Sequence, residues 1–218
     1  MISMITFSDR SQWLQGRSKR IGGSDAASII GLNPWRSNLE LYEIKAGIKE
    51  QEDISSETAV KYGTEAEQYL RELFKLDYPQ MRVGYKPDNL WTNTEYPWAH
   101  ASLDGWMVDP QGRRGVLEIK TTTIQNAQMK EKWRDKIPNY YYAQVLHYLA
   151  VVNADFAILK AQLKYDLASE EPFCMVKHYR IERADVIEDI MYLMEQEARF
   201  AECVENMTPP PLVLPPLD

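Results

Sequence analysis

The sequence predicts a mixed α/β domain in which a small central sheet is flanked by helices. Residues 98–123 have the pattern of two strands joined by a turn, and residues 155–163 and 173–181 have the pattern of two more. Helical patterns precede the first strand pair, separate it from the second, and follow the second. Strands arranged in this way bury their apolar faces against helices as an α/β layer structure.

The chain has 218 residues, of which 44% are hydrophobic and 26% are charged, as in an ordinary globular domain. No apolar run approaches the roughly 18 residues that a membrane span needs, and the N-terminus lacks the regions of a signal peptide. Cys174 and Cys203 have no metal-ligand spacing, so we expect free structural thiols in a reducing compartment. These patterns together predict a cytoplasmic protein without a membrane contact.

The net charge of −7 argues against a general nucleic-acid binder, but the distribution of charge is uneven. Basic residues cluster at 17–20, at 113–114 and at 130–136. Each cluster taken alone is more typical of a solvated face than of a binding site. Together they allow a basic lane on an otherwise acidic body.

Two glycines near the N-terminus predict a tight turn into a helix. After a first helix over residues 8–17, with Ser8 as its N-cap, Gly22 and Gly23 precede Ser24 and a run of small apolar residues. A helix capped by Ser24 presents free N–H groups, which attract anions, and Arg17 can fold over the same spot. A plain capped helix without a ligand is the simpler interpretation of this segment alone.

A short helix is expected at residues 38–46, ended by Gly47, and a longer one at residues 57–76. The longer helix contains Gly63, which costs about 1 kcal/mol relative to alanine and therefore calls for a packing or functional reason. Glu67 follows that glycine, and an exposed helix face is the simpler interpretation of its side chain. The apolar positions of this helix include Tyr69, Leu70, Leu73 and Leu76.

The helix predicted at residues 139–152 places Gln144 and Tyr148 one turn apart. An amphipathic helix over residues 182–206 follows, and its expected core positions are Ile187, Ile190, Met191 and Met194. The final segment, TPPPLVLPPLD, cannot be helical because its prolines favour a polyproline conformation. The sequence is therefore divided into a domain at 1–206 and a proline-rich tail at 207–218. The tail is expected either to pack on a neighbouring subunit or partner, or to be a disordered end.

The predicted hairpin carries the residues with the clearest chemistry. Side chains alternate along a strand, so Glu118 and Lys120 share one face, and the hairpin brings Asp104 beside them. Two carboxylates and the backbone carbonyl of Ile119 suit a hard cation such as Mg²⁺ or Mn²⁺. Lys120 can orient a water molecule or stabilise developing negative charge. The pattern is short, and an exposed ion pair on an edge strand accounts for it equally well when it is taken alone.

Several segments, taken together and in order, resemble a known family. The hairpin resembles the PD-(D/E)xK nuclease core, the core of the restriction-endonuclease-like fold, with Leu103 where proline is usual. The N-terminal segment, the central helix and the helix after the hairpin resemble those of the YqaJ-like viral recombinase family, which includes lambda-exonuclease-like enzymes. The matching residues span about positions 13 to 150 and are Trp13, Arg17, Ser24, GGSDAASIIGLNPW, Gly63, Glu67, Asp104, Glu118, Lys120 and YAQVLHY at 142–148.

The resemblance implies a two-metal site that holds Mg²⁺ or Mn²⁺. Asp104, Glu118 and the carbonyl of Ile119 are expected to hold the catalytic ion. Asp104 and Glu67 are expected to contact a second ion. The departure at Leu103 affects backbone geometry and removes no expected ligand.

The resemblance also implies roles around the metals. Lys120 is expected to attend the attacking water, and Gln144 to help position it. Arg17 and Ser24 are expected to bind the 5′-terminal phosphate of a DNA end, at the place where the glycine turn predicts an anion site. Trp13 either stacks near the DNA end or packs, and packing is the favoured interpretation.

The implied activity is ATP-independent degradation of linear double-stranded DNA from its 5′ end, which leaves a 3′ single strand for a recombination annealing protein. A homotrimeric ring in the cytoplasm of a phage-bearing or prophage-bearing bacterial host is implied in the same way. Such a ring with an acidic exterior and basic channel would favour DNA in its hole. The alternatives are an endonuclease or nickase of the same fold, a non-catalytic DNA-end binding protein, and an α/β domain with chance matches.

Overall fold

The computed structural model describes residues 1–166, 171 and 173–214. The strands are β1 (Ile2–Thr6), β2 (Ile21–Gly22), β3 (Arg82–Gly84), β4 (Asn89–Asn93), β5 (Tyr96–Ala101), β6 (Gly105–Val108), β7 (Arg114–Ile124), β8 (Phe156–Tyr165) and β9 (Phe173–Glu182). The helices are α1 (Arg10–Ser18), α2 (Gly23–Ile29), α3 (Asn38–Lys45), α4 (Thr58–Asp77), α5 (Ala127–Lys132), α6 (Asn139–Val151) and α7 (Ile187–Glu205). The predicted mixed α/β class is confirmed.

The strands form two sheets. A four-stranded sheet has the order β1-β4-β5-β2, and a five-stranded sheet has the order β3-β6-β7-β8-β9. In the larger sheet β7 pairs in parallel with β8, whereas the other neighbours are antiparallel. The parallel step requires a crossover, which α5 and α6 supply between β7 and β8.

The predicted hairpin is β6 and β7, joined by the turn that the sequence indicates. Oδ1 of Asp109 accepts hydrogen bonds from the backbone N–H groups of Gln111 (3.0 Å) and Arg113 (2.9 Å). Gly112 completes the turn with φ +82°, a conformation that favours glycine. The hairpin pairs Gly105 with Leu117, so Asp104 lies just before β6 and beside the middle of β7.

Helices cover both faces of the five-stranded sheet. On one face, Leu70 and Phe74 of α4 pack against Leu117, Ile119 and Ile158. On the other face lies α6, which is buried over most of its length because α2 and α7 pack on its outer side. Among the described residues, no helix is long and apolar enough to cross a membrane.

The interface of α6 and α7 contains a buried polar pair. His147 and Glu197 are both 0% exposed, and Nδ1 of His147 lies 2.8 Å from Oε1 of Glu197. Nε2 of His147 lies 2.8 Å from the carbonyl oxygen of His100 on β5. Because buried polar atoms need partners, this arrangement fixes α6, α7 and the smaller sheet relative to one another.

The structure differs from the sequence predictions at several element ends. Asp9, rather than Ser8, caps α1, because Oδ1 of Asp9 accepts from the N–H of Gln12 at 2.9 Å. The N-terminal residues form β1, which the sequence analysis missed. The last helix begins at Ile187 rather than at residue 182, because β9 continues to Glu182 and a 3₁₀ turn follows.

Some apolar side chains face solvent where a core position was predicted. On α4 the exposed fractions are 66% for Tyr69, 48% for Leu73 and 75% for Leu76, whereas Leu70 is 2% exposed. On α7, Ile190 and Met194 are buried, but Ile187 and Met191 are exposed. The strand β9 is an edge strand of the larger sheet, and its first half is exposed.

The proline-rich tail packs on its own chain as far as it is described. The side chain of Asn38, which is 2% exposed, donates to the carbonyl of Pro211 (2.8 Å) and accepts from the N–H of Val213 (3.0 Å). Val213 also lies against Gly31, where an added Cβ would be 2.7 Å from its side chain. Residues 215–218 of the predicted tail lie outside the described residues. Leu212 and Leu214 are exposed.

Candidate active site

The hairpin brings Asp104 directly against β7. Oδ2 of Asp104 accepts a hydrogen bond from the N–H of Ile119 at 2.8 Å. The approach is close because Gly105 has no side chain, and an added Cβ there would lie 3.3 Å from Leu117. Asp104 is thereby held beside the neighbouring residue Glu118.

Leu103 stands where proline is usual, and the structure gives a physical reason. Its N–H donates to Oδ1 of Asn89 (2.9 Å), and its carbonyl accepts from Nδ2 of Asn89 (2.9 Å). Proline has no N–H and could not make the first of these bonds. The side chain of Asn89 therefore positions the residue that precedes Asp104, a role that the sequence analysis missed.

Glu118 is buried, with 2% of its surface exposed. Its Oε1 accepts from Nε2 of Gln144 (2.8 Å) and pairs with Nζ of Lys120 (2.6 Å). Its Oε2 is buried without a hydrogen-bond partner among the described residues. Burial raises the pKa of Glu118, and the charge of Lys120 opposes that rise.

The pKa of Asp104 is raised well above its usual value by burial and by the negative charges of Glu118 and Glu67. A buried and a partly buried carboxylate that repel each other, the buried one with an oxygen lacking a partner, are stabilised by a cation. The donors available to that cation are the two carboxylates and the Ile119 carbonyl. These oxygen donors fit Mg²⁺ or Mn²⁺.

Lys120 stays positively charged in this site. Burial alone would lower the pKa of Lys120, but Glu118, Tyr141 and Asp104 raise it above its ordinary value. Its Nζ also lies 4.9 Å from the centroid of the Tyr141 ring, which is a cation–π contact. The ammonium group is therefore a fixed positive charge next to both carboxylates.

Gln144 and Tyr148 lie one turn apart on α6 and act as a pair. Nε2 of Gln144 donates to the hydroxyl of Tyr148 at 2.9 Å as well as to Glu118. Burial and the charge of Glu118 raise the pKa of Tyr148, so its hydroxyl stays protonated at neutral pH. The side-chain amide of Gln144 is thus oriented by Glu118 and by Tyr148.

Glu67 lies beside the site but is engaged by a residue that the sequence analysis missed. The guanidinium of Arg71, which is 5% exposed, donates to Oε1 of Glu67 (2.8 Å) and to the carbonyl of Asp104 (2.7 Å). Within residues 1–166, 171 and 173–214, no three His, Cys, Asp or Glu side chains are arranged to hold a metal ion. Glu67 is therefore not gathered with Asp104 and Glu118 into a preformed group of three carboxylates.

Gly63 has a packing role. An added Cβ at Gly63 would lie 3.3 Å from Oγ1 of Thr121. The glycine therefore allows α4 to cross close to β7, one turn before Glu67. This close approach is the packing reason that a glycine inside a helix calls for.

The start of α2 lies against Gln144 and Tyr148. The N-cap is Gly22 rather than Ser24, and its N–H donates to Oδ2 of Asp25 at 3.0 Å. Ser24 lies in the first turn and is exposed, so its hydroxyl is not used as a cap. An added Cβ at Gly23 would lie 2.5 Å from the ring of Tyr148, which shows how closely the two elements approach.

Arg17 and Trp13 lie together on α1. Trp13 is 8% exposed, and its Nε1 donates to the carbonyl of Asn89 at 3.1 Å. The guanidinium carbon of Arg17 lies 4.3 Å from the centroid of the Trp13 ring. Trp13 therefore packs, as favoured from the sequence, and its ring supports the side chain of Arg17.

Comparison with known proteins shows which family this chain resembles. Residues 12–155 match the YqaJ-like viral recombinase domain family. The chain is 35% identical over 150 residues to Uncharacterized protein YqaJ of Bacillus subtilis (strain 168), an alignment that covers 67% of this chain and 44% of that protein. The chain thus spans under half the length of that curated relative.

Two solved structures share the fold. An alkaline exonuclease from Laribacter hongkongensis superposes with a TM-score of 0.61 at 18% identity, covering 90% of this chain and 95% of that one. A phage related exonuclease from Haemophilus somnus 129PT gives 0.50 at 14% identity, covering 87% and 96%. The fold class implied by the hairpin motif is thereby confirmed. Because the family model matches about two thirds of its length, this chain belongs to the YqaJ-like viral recombinase family.

Proposed function

We propose that this protein is a metal-dependent deoxyribonuclease that digests one strand of linear double-stranded DNA from its 5′ end. The observation that carries the proposal is the group formed by Glu118 and Lys120 on one face of β7 and by Asp104 beside them, in which Glu118 is buried and the other two are partly buried. Two carboxylates whose pKa values are raised, beside a charged lysine, form a site suited to phosphodiester hydrolysis. The fold shared with two exonucleases supports the same class of reaction.

Asp104, Glu118 and the carbonyl of Ile119 would hold Mg²⁺ or Mn²⁺. When bound, such an ion polarises a phosphate oxygen and lowers the pKa of a coordinated water. A second ion would contact Asp104 and Glu67, for which Glu67 would have to exchange its contact with Arg71. Arg71 would then keep its bond to the Asp104 carbonyl and continue to position that residue.

The chain's own groups would orient the reactants. Lys120 places a fixed positive charge where negative charge develops on the phosphate or on the attacking oxygen. Gln144 holds Oε1 of Glu118 and leaves Oε2 free. Because burial excludes water around Glu118, these charges act at short range in a medium of low dielectric constant.

The polarity of digestion would come from the N-terminal elements. Arg17 and the hydroxyl of Ser24 would bind the 5′-terminal phosphate. The helix α2 has only seven residues, so the guanidinium and the hydroxyl would contribute more than the helix dipole. The close approach of Gly23 to Tyr148 would then fix the distance from that phosphate to Glu118, so cleavage would occur near the end.

We further propose the assembly that the family resemblance implies. A homotrimeric ring threaded by DNA would place the basic residues toward the DNA and leave the acidic surface outside, in keeping with a net charge of −7. The 3′ single strand would pass to an annealing protein of a phage or prophage in the bacterial cytoplasm. Light scattering of the purified protein tests the trimer directly.

The decisive experiment compares DNA ends. Linear duplexes with a 5′ phosphate or a 5′ hydroxyl, and a closed circular plasmid, are incubated with Mg²⁺, with Mn²⁺ or with EDTA. We expect metal-dependent release of nucleotides from the 5′-phosphorylated end, slower digestion of the hydroxyl end, and an intact circle. The Arg17→Ala variant should lose the preference for the phosphate.

Other results would select the alternatives. Cutting of the closed circle would identify an endonuclease or nickase. Tight binding to ends without any digestion would identify an end-binding protein. Release of the 3′ label before the 5′ label would contradict the proposed polarity.

A further inference from the structure

Trp35 is the tryptophan with the greatest exposure. All six tryptophans lie in the described part of the chain, and Trp35 is 73% exposed whereas the others are buried or partly buried. A single exposed apolar side chain is common on protein surfaces, so the case for a contact rests on how the Trp35 ring is held and on what it adjoins. On those two grounds Trp35 is a candidate for a binding contact.

The loop that carries Trp35 is firmly held. The N–H of Trp35 donates to Oδ1 of Asn33 (2.9 Å), and Nδ2 of Asn33 donates to Oγ of Ser28 (3.0 Å). On the other side, Nε of Arg36 donates to the same Oγ (3.2 Å), and its Nη2 pairs with Asp25 (2.8 Å). The backbone is therefore fixed while the ring is left in solvent. Because the backbone that carries the ring is already fixed, little backbone entropy is lost when the ring binds.

A series of ring contacts connects Trp35 to the catalytic cluster. The centroids of Trp35 and Tyr140 lie 5.0 Å apart with the planes at 71°, and those of Tyr140 and Tyr141 lie 4.5 Å apart. Tyr141 in turn lies over Nζ of Lys120 at 4.9 Å. Two rings thus separate the exposed tryptophan from the lysine of the active site.

Tyr140 can contribute a hydrogen bond as well as a ring face. It is partly buried, and burial together with Tyr141 raises the pKa of Tyr140 to about 12. The hydroxyl therefore remains protonated at neutral pH and can donate. The surroundings also include cations, since Arg36 adjoins Trp35 and Lys120 lies at the other end of the series.

We propose that Trp35 and Tyr140 form a stacking site for an unpaired nucleobase of the strand being cut. The inference rests on the proposed nuclease function and adds a positioning contact to it. A nucleotide bound at the cluster would have these rings within reach of its base, since Tyr141 lies 4.9 Å from Nζ of Lys120 and Tyr140 lies 4.5 Å from Tyr141. The site favours an unpaired base because a base inside a duplex has both faces stacked on its neighbours, whereas a base released from the duplex can turn a face toward the rings.

Stacking of this kind is tolerant of sequence, because every base presents a π face. Loss of one stacked base typically weakens binding by roughly 5- to 150-fold. The contact would hold the terminal nucleotides apart from the complementary strand. It would not participate in bond cleavage, so its loss should affect substrate binding more than the chemical step.

The test uses the full-length protein with Trp35→Ala, Trp35→Phe and, as a matched exposed aromatic on α7, Tyr192→Ala, which removes a ring that is 56% exposed. The substrate is a 5′-phosphorylated duplex with a normal or an abasic nucleotide at successive positions of the cut strand. We expect Trp35→Ala to raise KM at least fivefold with a smaller change in kcat. Trp35→Phe should recover most of this loss and have a KM close to that of the wild type. The Tyr192→Ala variant should match the wild type.

The abasic substrate identifies the contact. At one position, removal of the base should raise KM for the wild type and have no further effect on Trp35→Ala, because the two changes remove the same interaction. In EDTA, a 5′-phosphorylated single-stranded oligonucleotide should protect the wild-type tryptophan fluorescence from acrylamide quenching. A fully abasic oligomer should give no protection.

Several results would overturn the inference. One is an unchanged KM for Trp35→Ala, and another is an equal abasic penalty in the wild type and the variant. A third is a Trp35→Ala protein whose particle mass has changed but whose fluorescence is still protected by the oligonucleotide. Failure of the nuclease proposal is distinguishable. A wild-type protein that digests no DNA, yet shows base-dependent protection of Trp35, would reject the nuclease assignment and support the stacking site.

Discussion

Gly23 lies so close to Tyr148 that an added Cβ would be 2.5 Å from the tyrosine ring and 3.1 Å from Cγ of Gln144. The start of α2 thus touches the pair of residues that orients Glu118. The proposed site for the DNA end and the proposed catalytic cluster are held by the same contact. Small changes at Gly23 should therefore reach Glu118 without altering any catalytic side chain.

We expect Gly23→Ala to lower kcat about tenfold to a hundredfold, because the added methyl group must displace Tyr148 and Gln144. Overpacking should also cost about 1–3 kcal/mol of unfolding free energy. The control is Gly47→Ala, where no atom lies within 4 Å of the added Cβ and only the positive φ is strained. That variant should lose stability but keep its activity. Equal activity losses in both variants would show that stability, rather than the contact with Tyr148, is responsible.

Substitution of Leu103 by the proline that is usual at this position should destabilise this protein. The change removes the N–H that donates to Asn89 and leaves the buried Oδ1 without a partner, which typically costs about 1–3 kcal/mol. Urea unfolding measures the loss. In an Asn89→Ala background the same proline should cost much less, because its partner atom is absent. An equal cost in both backgrounds would contradict the role assigned to Asn89.

Loss of the lysine charge should separate catalysis from binding. We expect Lys120→Ala to lower the rate of digestion about a hundredfold or more, as for removal of one stabilising group in other active sites. Binding to a 5′-phosphorylated end, measured in EDTA by fluorescence anisotropy, should be nearly unchanged. Lys75→Ala, on the exposed side of α4, serves as the control for loss of a positive charge. Undiminished digestion by Lys120→Ala would remove the lysine from the proposed mechanism.

His100 should make stability depend on pH. It is 2% exposed, and burial, followed by the charge of Arg17, lowers its pKa to about 3. Below about pH 6.5 the unfolded chain therefore takes up a proton that the folded chain does not. This histidine's contribution to unfolding free energy should then fall by up to about 1.4 kcal/mol per pH unit until the pH reaches its folded pKa.

The comparison of wild type with His100→Gln isolates this effect from the other titrating groups. Urea unfolding at pH 7 and at pH 4.5 should show that the wild type loses more stability than the variant between the two values. Parallel losses in the two proteins would mean that His100 is protonated in the folded state as readily as in the unfolded one.

Local sequence patterns predicted the parts of the fold that local interactions determine. The β6–β7 hairpin follows from Asp109 and Gly112 in the turn, and α6 follows from its apolar spacing. The sheet position of β9 depends on which strands pair, which the alternation of its residues does not specify. β1 was missed for the same reason, since its pairing with β4 joins residues far apart in the chain.

In the candidate site, too, local patterns predicted some residues, whereas others depend on contacts between distant parts of the chain. Glu118 and Lys120 were predicted to share a face because strand periodicity places them there. Arg71 was missed because its burial depends on Glu67 and on the Asp104 carbonyl, which meet only when α4 packs on the sheet. Its spacing of one helical turn from Glu67 was the available signal. Asn89 gave no comparable signal, since its two side-chain bonds to Leu103 are made with the backbone of a residue that is distant in sequence.

The C-terminal segment contacts the chain on both sides of the loop that carries Trp35. Val213 covers Gly31 just before the loop, and Asn38, just after it, binds Pro211 and Val213. Residues near the end of the chain thus suppress opening of a loop far upstream in sequence, and the two segments should exchange their amide hydrogens as one cooperative unit. The contacts of Pro211 and Val213 should therefore be kept in any variant that is used for DNA-binding measurements.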